Sequence, residues 1–240
     1  MAEFPRLTES FRLTESSRPQ ADYPPPPWKL RGDLFGTVFR MPPDSIPSAL
    51  LPQHLDLRRP DGTSLLATAW VDYQAGSTLT YREFMVTGIL RLRPPLHGTI
   101  LRIWVDSAES QAGGRQLWNI PKDLAEFEFA RNGTLATKLT VKGTELASYT
   151  YLECGQLPIR FPFCVAVIQE HTAGIRRTYS SWSARPALGR GELSIPDGSE
   201  LSFLNRGRPL AHFALRDFRA TFGLVGWSSK RAAASWVGGT

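Results

Sequence analysis

From Trp28 onward the chain is dominated by an alternation of period two. Phe84, Val86, Gly88, Leu90 and Leu92 fall on one face of an extended stretch, as the opposite pointing of successive strand side chains requires. Residues 100–105 form a compact, mostly apolar run. Ala125, Phe127 and Phe129 alternate with Glu126 and Glu128, and Leu135, Thr137, Leu139 and Val141 alternate with Ala136, Lys138 and Thr140. These two stretches flank Arg131-Asn132-Gly133, and an Asn-Gly pair between alternating segments predicts a tight hairpin. Residues 163–170 predict a further strand and 211–218 a weaker one. Helices are few. Asp44 to Leu51 predicts one short helix with Pro47 in its first turn, and Ser107 to Leu117 a second, interrupted by Gly113-Gly114. Many antiparallel strands in 240 residues predict a mainly β (α+β) fold. The expected form is a curved antiparallel sheet closing into a barrel-like cone with a few short helices. Its interior would hold a small ligand.

Residues 1–22 read as a flexible tail and 23–240 as a single domain. In the tail, Arg6-Leu7-Thr8-Glu9-Ser10 recurs as Arg12-Leu13-Thr14-Glu15-Ser16, too short to be a structural repeat. Pro24 to Pro27 form a stiff segment leading to Trp28. A hydrophobic fraction of 42% is enough for a core of ordinary size, and the 20 Gly and 19 Pro favour turns and short strands over long helices. No apolar run reaches the ~18 residues of a membrane span, and the first residues lack the pattern of a secretory leader. The expectation is therefore a cytoplasmic protein, with no membrane partner. Cys154 and Cys164 are then reduced thiols, and too few for a zinc site. The net charge of +6 comes from 23 Arg and only five Lys against 22 acidic residues. The basic residues are scattered, so no nucleic-acid partner is expected. The four histidines show no metal-ligand spacing, and no metal and no cofactor is predicted.

Lys29, Lys138, Lys142 and Lys230 occupy a linker, a polar strand face, a turn and a polar segment. Lys122 differs. It follows Leu117-Trp118-Asn119-Ile120-Pro121 and precedes Asp123-Leu124-Ala125, a largely apolar setting in which Pro121 fixes the backbone. A lysine amine attacks a carbonyl only when unprotonated, and at an ordinary pKa of ~10.4 roughly one molecule in a few thousand is so at neutral pH. Burial disfavours the ammonium and lowers that pKa. The competing reading is a lysine that reaches to water from the start of a strand.

Gly114-Arg115-Gln116-Leu117-Trp118-Asn119-Ile120-Pro121-Lys122 resembles the segment around the Schiff-base lysine of the acetoacetate decarboxylase-like superfamily, where Gly-Arg-Glu precedes Pro-Lys at the same spacing. Tyr23-Pro24-Pro25-Pro26-Pro27-Trp28 is similar to the Tyr-Pro-rich start of many relatives. Tyr81-Arg82-Glu83 resembles a Tyr-x-Glu about forty residues before the lysine. The resemblance spans roughly residues 23–145. It implies that Lys122 is the imine-forming nucleophile, that Glu83 is a pocket carboxylate able to orient substrate or move protons, and that Arg31 binds a substrate carboxylate. Arg115 is expected to buttress its loop. The chain departs from the family pattern at Asp123, where relatives carry a second lysine, at Gln116, and near Thr68, where a second pocket glutamate is expected.

The reaction implied is decarboxylation of a small β-keto acid through a lysine Schiff base, without cofactor. An aldolase or dehydratase acting on pyruvate-like substrates is the first alternative, and a non-catalytic ligand-binding barrel the second. The resemblance also implies a homo-oligomer.

Overall fold

The computed structural model describes residues 22–171 and 174–224. The duplicated segment in the tail and Lys230 lie outside these residues. The strands are β1 (Trp28–Met41), β2 (Ser64–Tyr73), β3 (Tyr81–Arg91), β4 (Leu96–Val105), β5 (Lys122–Leu124), β6 (Glu126–Asn132), β7 (Thr134–Val141), β8 (Thr144–Gln156), β9 (Phe161–His171), β10 (Gly174–Ser194) and β11 (Arg208–Phe222). One α-helix, α1 (Ala108–Trp118), stands between β4 and β5. The fold is mainly β, as the alternation predicts. No helix among the described residues is long and apolar enough to cross a membrane.

The strands form one sheet in the order β11-β1-β2-β3-β4-β9-β10, and β10 pairs again with β11, so this part closes into a circuit. Most pairings are antiparallel, but β4 pairs with both β9 and β5 in parallel. Strand β10 belongs to two regions. Its first half pairs with β9, and its last residues, Ala187 to Ser194, pair with β8. From there β8, β7 and β6 continue the sheet.

This arrangement gives β3 two buried faces. Phe84 and Val86, on the face picked out by the alternation, join a core with β1, β2, β4, β7 and β8. There Trp70 lies 4.4 Å from Phe84 and 6.4 Å from both Phe127 and Tyr149, centroid to centroid. The opposite face of β3, beginning with Tyr81 and Glu83, looks into the closed circuit. That interior holds a second core with Trp28, Tyr73, Ile103, Trp118 and Phe218.

The β6–β7 hairpin forms as predicted, pairing Phe127 with Leu139 and Phe129 with Thr137. Gly133 alone takes the positive φ, at 77°, while Asn132 stays in the strand. The helix expected over Asp44 to Leu51 is replaced by a 3-10 turn at Ser48–Leu50. Asp44 sits at φ 55° and Pro47 at ψ 133°, and neither is compatible with a continuous helix. Conversely, α1 runs unbroken through Gly113 and Gly114. Its start is capped by Ser107, whose hydroxyl accepts from the Ser110 amide at 3.0 Å. Its end is closed by Asn119 in the left-handed region, whose amide donates to the Arg115 carbonyl.

Candidate active site

The two glycines of α1 are explained by what lies against them. A Cβ on Gly113 would stand 2.6 Å from the Trp28 ring, and one on Gly114 would stand 2.7 Å from Cδ of Lys122. Loss of helix propensity, about 1 kcal/mol per glycine relative to alanine, is the cost of letting a tryptophan and a lysine pass directly against the helix backbone. Trp28 then packs edge-on against Trp118 at 4.6 Å, a geometry worth about 0.5–1.5 kcal/mol beyond burial. After α1 the chain turns at Asn119 and Ile120, and Lys122 enters β5 opposite Ile103 of β4.

Lys122 is buried, with 3% of its surface exposed, and Glu83 with 2%. Nζ of Lys122 donates to Oε2 of Glu83 at 2.7 Å, to Oγ of Ser110 at 3.0 Å and to the Tyr81 hydroxyl at 3.3 Å. Glu83 also accepts from Tyr73 at 2.9 Å and from Tyr81 at 3.4 Å. The two tyrosines are cross-strand neighbours on β2 and β3 and stack at 4.3 Å. The result is a closed polar cluster of one ammonium, one carboxylate and three hydroxyls, every member hydrogen-bonded.

Burial pulls the Lys122 amine down, but the Glu83 charge, with Tyr81 and the hydrogen bonds that Nζ donates to both, outweighs it and holds the amine above the usual lysine value. Burial, then the charge of Glu83, pushes Tyr81 up to about 12 and Tyr73 well above its ordinary value. Both phenols are therefore protonated donors at neutral pH.

The cluster forms one end of a cavity of about 370 Å³ inside the circuit, a volume within the ~300–1,000 Å³ range of small-molecule sites. Most of its wall is apolar, including Leu34, Met85, Ile100, Phe163, Trp182 and Phe213. A larger hollow of about 710 Å³, between residues 42–64 and the segment around Phe203, contains neither Lys122 nor Glu83. No group of three or more His, Cys, Asp or Glu among the described residues could hold a metal.

The structure brings Lys122 and Glu83 together and leaves Arg31 out. Leu30 lines the cavity, so the next residue on β1 points the other way. Arg31 is exposed and lies over Gly76, its Cδ 3.4 Å from where a Cβ would be. The same alternation settles Asp123. It turns away from the cavity and pairs with Arg115 at 2.6 Å, both about half exposed, so Arg115 braces this corner. Thr68 lines the cavity and is buried. Of the other described lysines, Lys29 and Lys142 are exposed and Lys138 pairs with Glu128.

Sequence reasoning did not assign Ser110, Tyr73 or Tyr81 to the site. Tyr81 shares the strand face of Glu83, so period two could have found it. Tyr73 follows only from the β2–β3 register. Ser110 looks like any serine in a first helical turn.

The sequence pattern of the family described as Acetoacetate decarboxylase (ADC) matches residues 13–158. No curated protein matches the chain. Among solved structures, an acetoacetate decarboxylase from Legionella pneumophila aligns at 19% identity with a TM-score of 0.61, covering 86% of this chain and 90% of that one. The enduracididine biosynthesis enzyme MppR in complex with pyruvate aligns at 17% identity with a TM-score of 0.57, covering 83% and 88%. An acetoacetate decarboxylase-like enzyme from Sphingomonas wittichii aligns at 14% identity with a TM-score of 0.55, covering 82% and 90%. At these identities the likeness is one of fold.

Proposed function

The chain belongs to the acetoacetate decarboxylase family, and from that premise we propose that it is a lysine Schiff-base enzyme that decarboxylates a β-keto acid. The observation that carries the reading is a buried lysine, 2.7 Å from a buried carboxylate, at the end of an apolar cavity. Lys122 passes a proton to Glu83 and adds through its free amine to the ketone carbon. Water leaves and an iminium forms between Nζ and that carbon. The bond to the carboxylate breaks and carbon dioxide departs; the bonding pair becomes the carbon–carbon double bond of an enamine while the iminium π pair returns to nitrogen. The Glu83 proton leaves with the departing water, so the enamine carbon takes a proton drawn from solvent through the Tyr81–Glu83 pair, and hydrolysis of the iminium releases the ketone and free Lys122. The apolar wall favours the step, because a carboxylate stripped of water is destabilised relative to neutral carbon dioxide. The reacting acid thus needs no arginine beside Lys122, in keeping with the outward position of Arg31.

The second reading keeps the imine and changes its fate. MppR, of similar fold, has structures with pyruvate and with a condensation product of pyruvate and imidazole 4-carboxaldehyde. Asp123, in place of a second lysine, is neutralised on the outer surface by Arg115 and adds no cation to the site. Incubation with 3-oxo acids, with carbon dioxide measured against Lys122→Ala, tests the first reading. Release by the wild type alone supports it. Formation of a carbon–carbon bond from pyruvate and an aldehyde, without carbon dioxide, would replace it with the second.

A further inference from the structure

The cavity extends far beyond the polar cluster. Tyr81, Glu83, Met85, Thr87, Ile89 and Arg91, successive inward positions of β3, all line it. From Glu83 to Arg91 is eight residues, roughly 25 Å at ~3.3 Å per strand residue. The charged groups sit at the two ends. Lys122 and Glu83 occupy one, and Arg91 with its cross-strand partner His97 occupies the other. Leu92, 60% exposed, stands at the same outer end. Between them the wall is apolar, with Met85 and Ile89 from β3 and Val167 from β9. A four-carbon keto acid bound at Lys122 would fill only the inner end. The apolar wall from Met85 out to Arg91 would then be left without an occupant.

We propose that the substrate is a keto acid with an extended apolar tail, a medium-chain 3-oxo acid, whose keto carbon meets Lys122 while its alkyl chain runs along β3 toward Arg91. This rests on the Schiff-base reading above and adds the substrate class. The tail would be held by burial of methylenes rather than by hydrogen bonds.

The test is borohydride trapping on Lys122 with 2-alkanones from acetone to 2-nonanone, reading adduct mass against ketone concentration. The half-saturating concentration is expected to fall about threefold to fourfold per added methylene, as ~0.8 kcal/mol per buried CH₂ requires. Ala67→Phe, which fills the wall opposite Thr87, should flatten that dependence, and Ile89→Phe provides an independent block should the first variant not fold. Acetone trapping as well as 2-nonanone, or a slope unchanged in a folded blocking variant, overturns the tail assignment and leaves the imine standing. Absence of adduct with every ketone overturns the Schiff-base reading itself.

Discussion

Lys122 and Glu83 are 39 positions apart in the chain and 2.7 Å apart in the fold, each almost without solvent exposure. A pair of this kind contributes little net stability compared with apolar replacements, yet breaking it by removing one partner costs about 3–5 kcal/mol. It suits a reaction in which the proton must pass from nitrogen to oxygen within the site. Tyr73 and Tyr81 secure the carboxylate and Ser110 secures the amine.

The pH dependence of the amine depends on Glu83. Its charge holds Lys122 above the usual lysine value against the opposite pull of burial. Since the folded state binds the proton more tightly than the unfolded chain, the stabilisation is complete below the ordinary value of ~10.4 and is lost as pH rises through the higher folded value. Glu83→Gln leaves burial unopposed by that charge. The pH at which imine trapping reaches half its alkaline plateau is expected to move down in this variant, while turnover falls. An unmoved or rising midpoint, measured by borohydride trapping across pH, would show that Glu83 does not set the amine's protonation.

The two glycines of α1 predict opposite phenotypes. Gly114→Ala places a methyl against the Lys122 stem, which is flexible, and adds helix propensity of about 1 kcal/mol. Stability by urea unfolding should change by no more than about 1 kcal/mol, while trapping at Lys122 slows at least ~10-fold as the amine leaves its geometry. Gly113→Ala meets the rigid Trp28 ring and should cost about 1–3 kcal/mol by overpacking.

Asp123 should be nearly silent. It faces outward and its pair with Arg115 is half exposed, a setting worth about 0–1 kcal/mol. Asp123→Asn is expected to leave the pH profile of trapping unchanged. A clear downward shift in the midpoint would mean that its charge reaches the amine.

Much of this was legible in the sequence because strand alternation is a local signal. The β6–β7 hairpin and the inward-facing lysine follow from spacing and from the Gly-Arg…Pro-Lys resemblance. The alternation of Phe84 and Val86 identified a core face but concealed that the opposite face of β3 is also enclosed, since that depends on the circuit closing through β9, β10 and β11. Tyr73 and Ser110 reach the site through register and helix placement, which no local pattern encodes. Arg31 was suggested by resemblance within a short stretch, where a one-residue offset moves a strand side chain to the other face. The expected helix at residues 44–51 failed because Asp44 and Pro47 adopt conformations outside the helical region.

The most direct test of the central claim is reductive trapping with acids. The protein is mixed with pyruvate or a 3-oxo acid, treated with borohydride, digested and weighed by mass spectrometry beside Lys122→Ala. The expected result is one adduct on the peptide containing Lys122, absent from the variant. No adduct with any keto acid, or adducts spread equally over Lys29, Lys138 and Lys142, would contradict a Schiff base at Lys122.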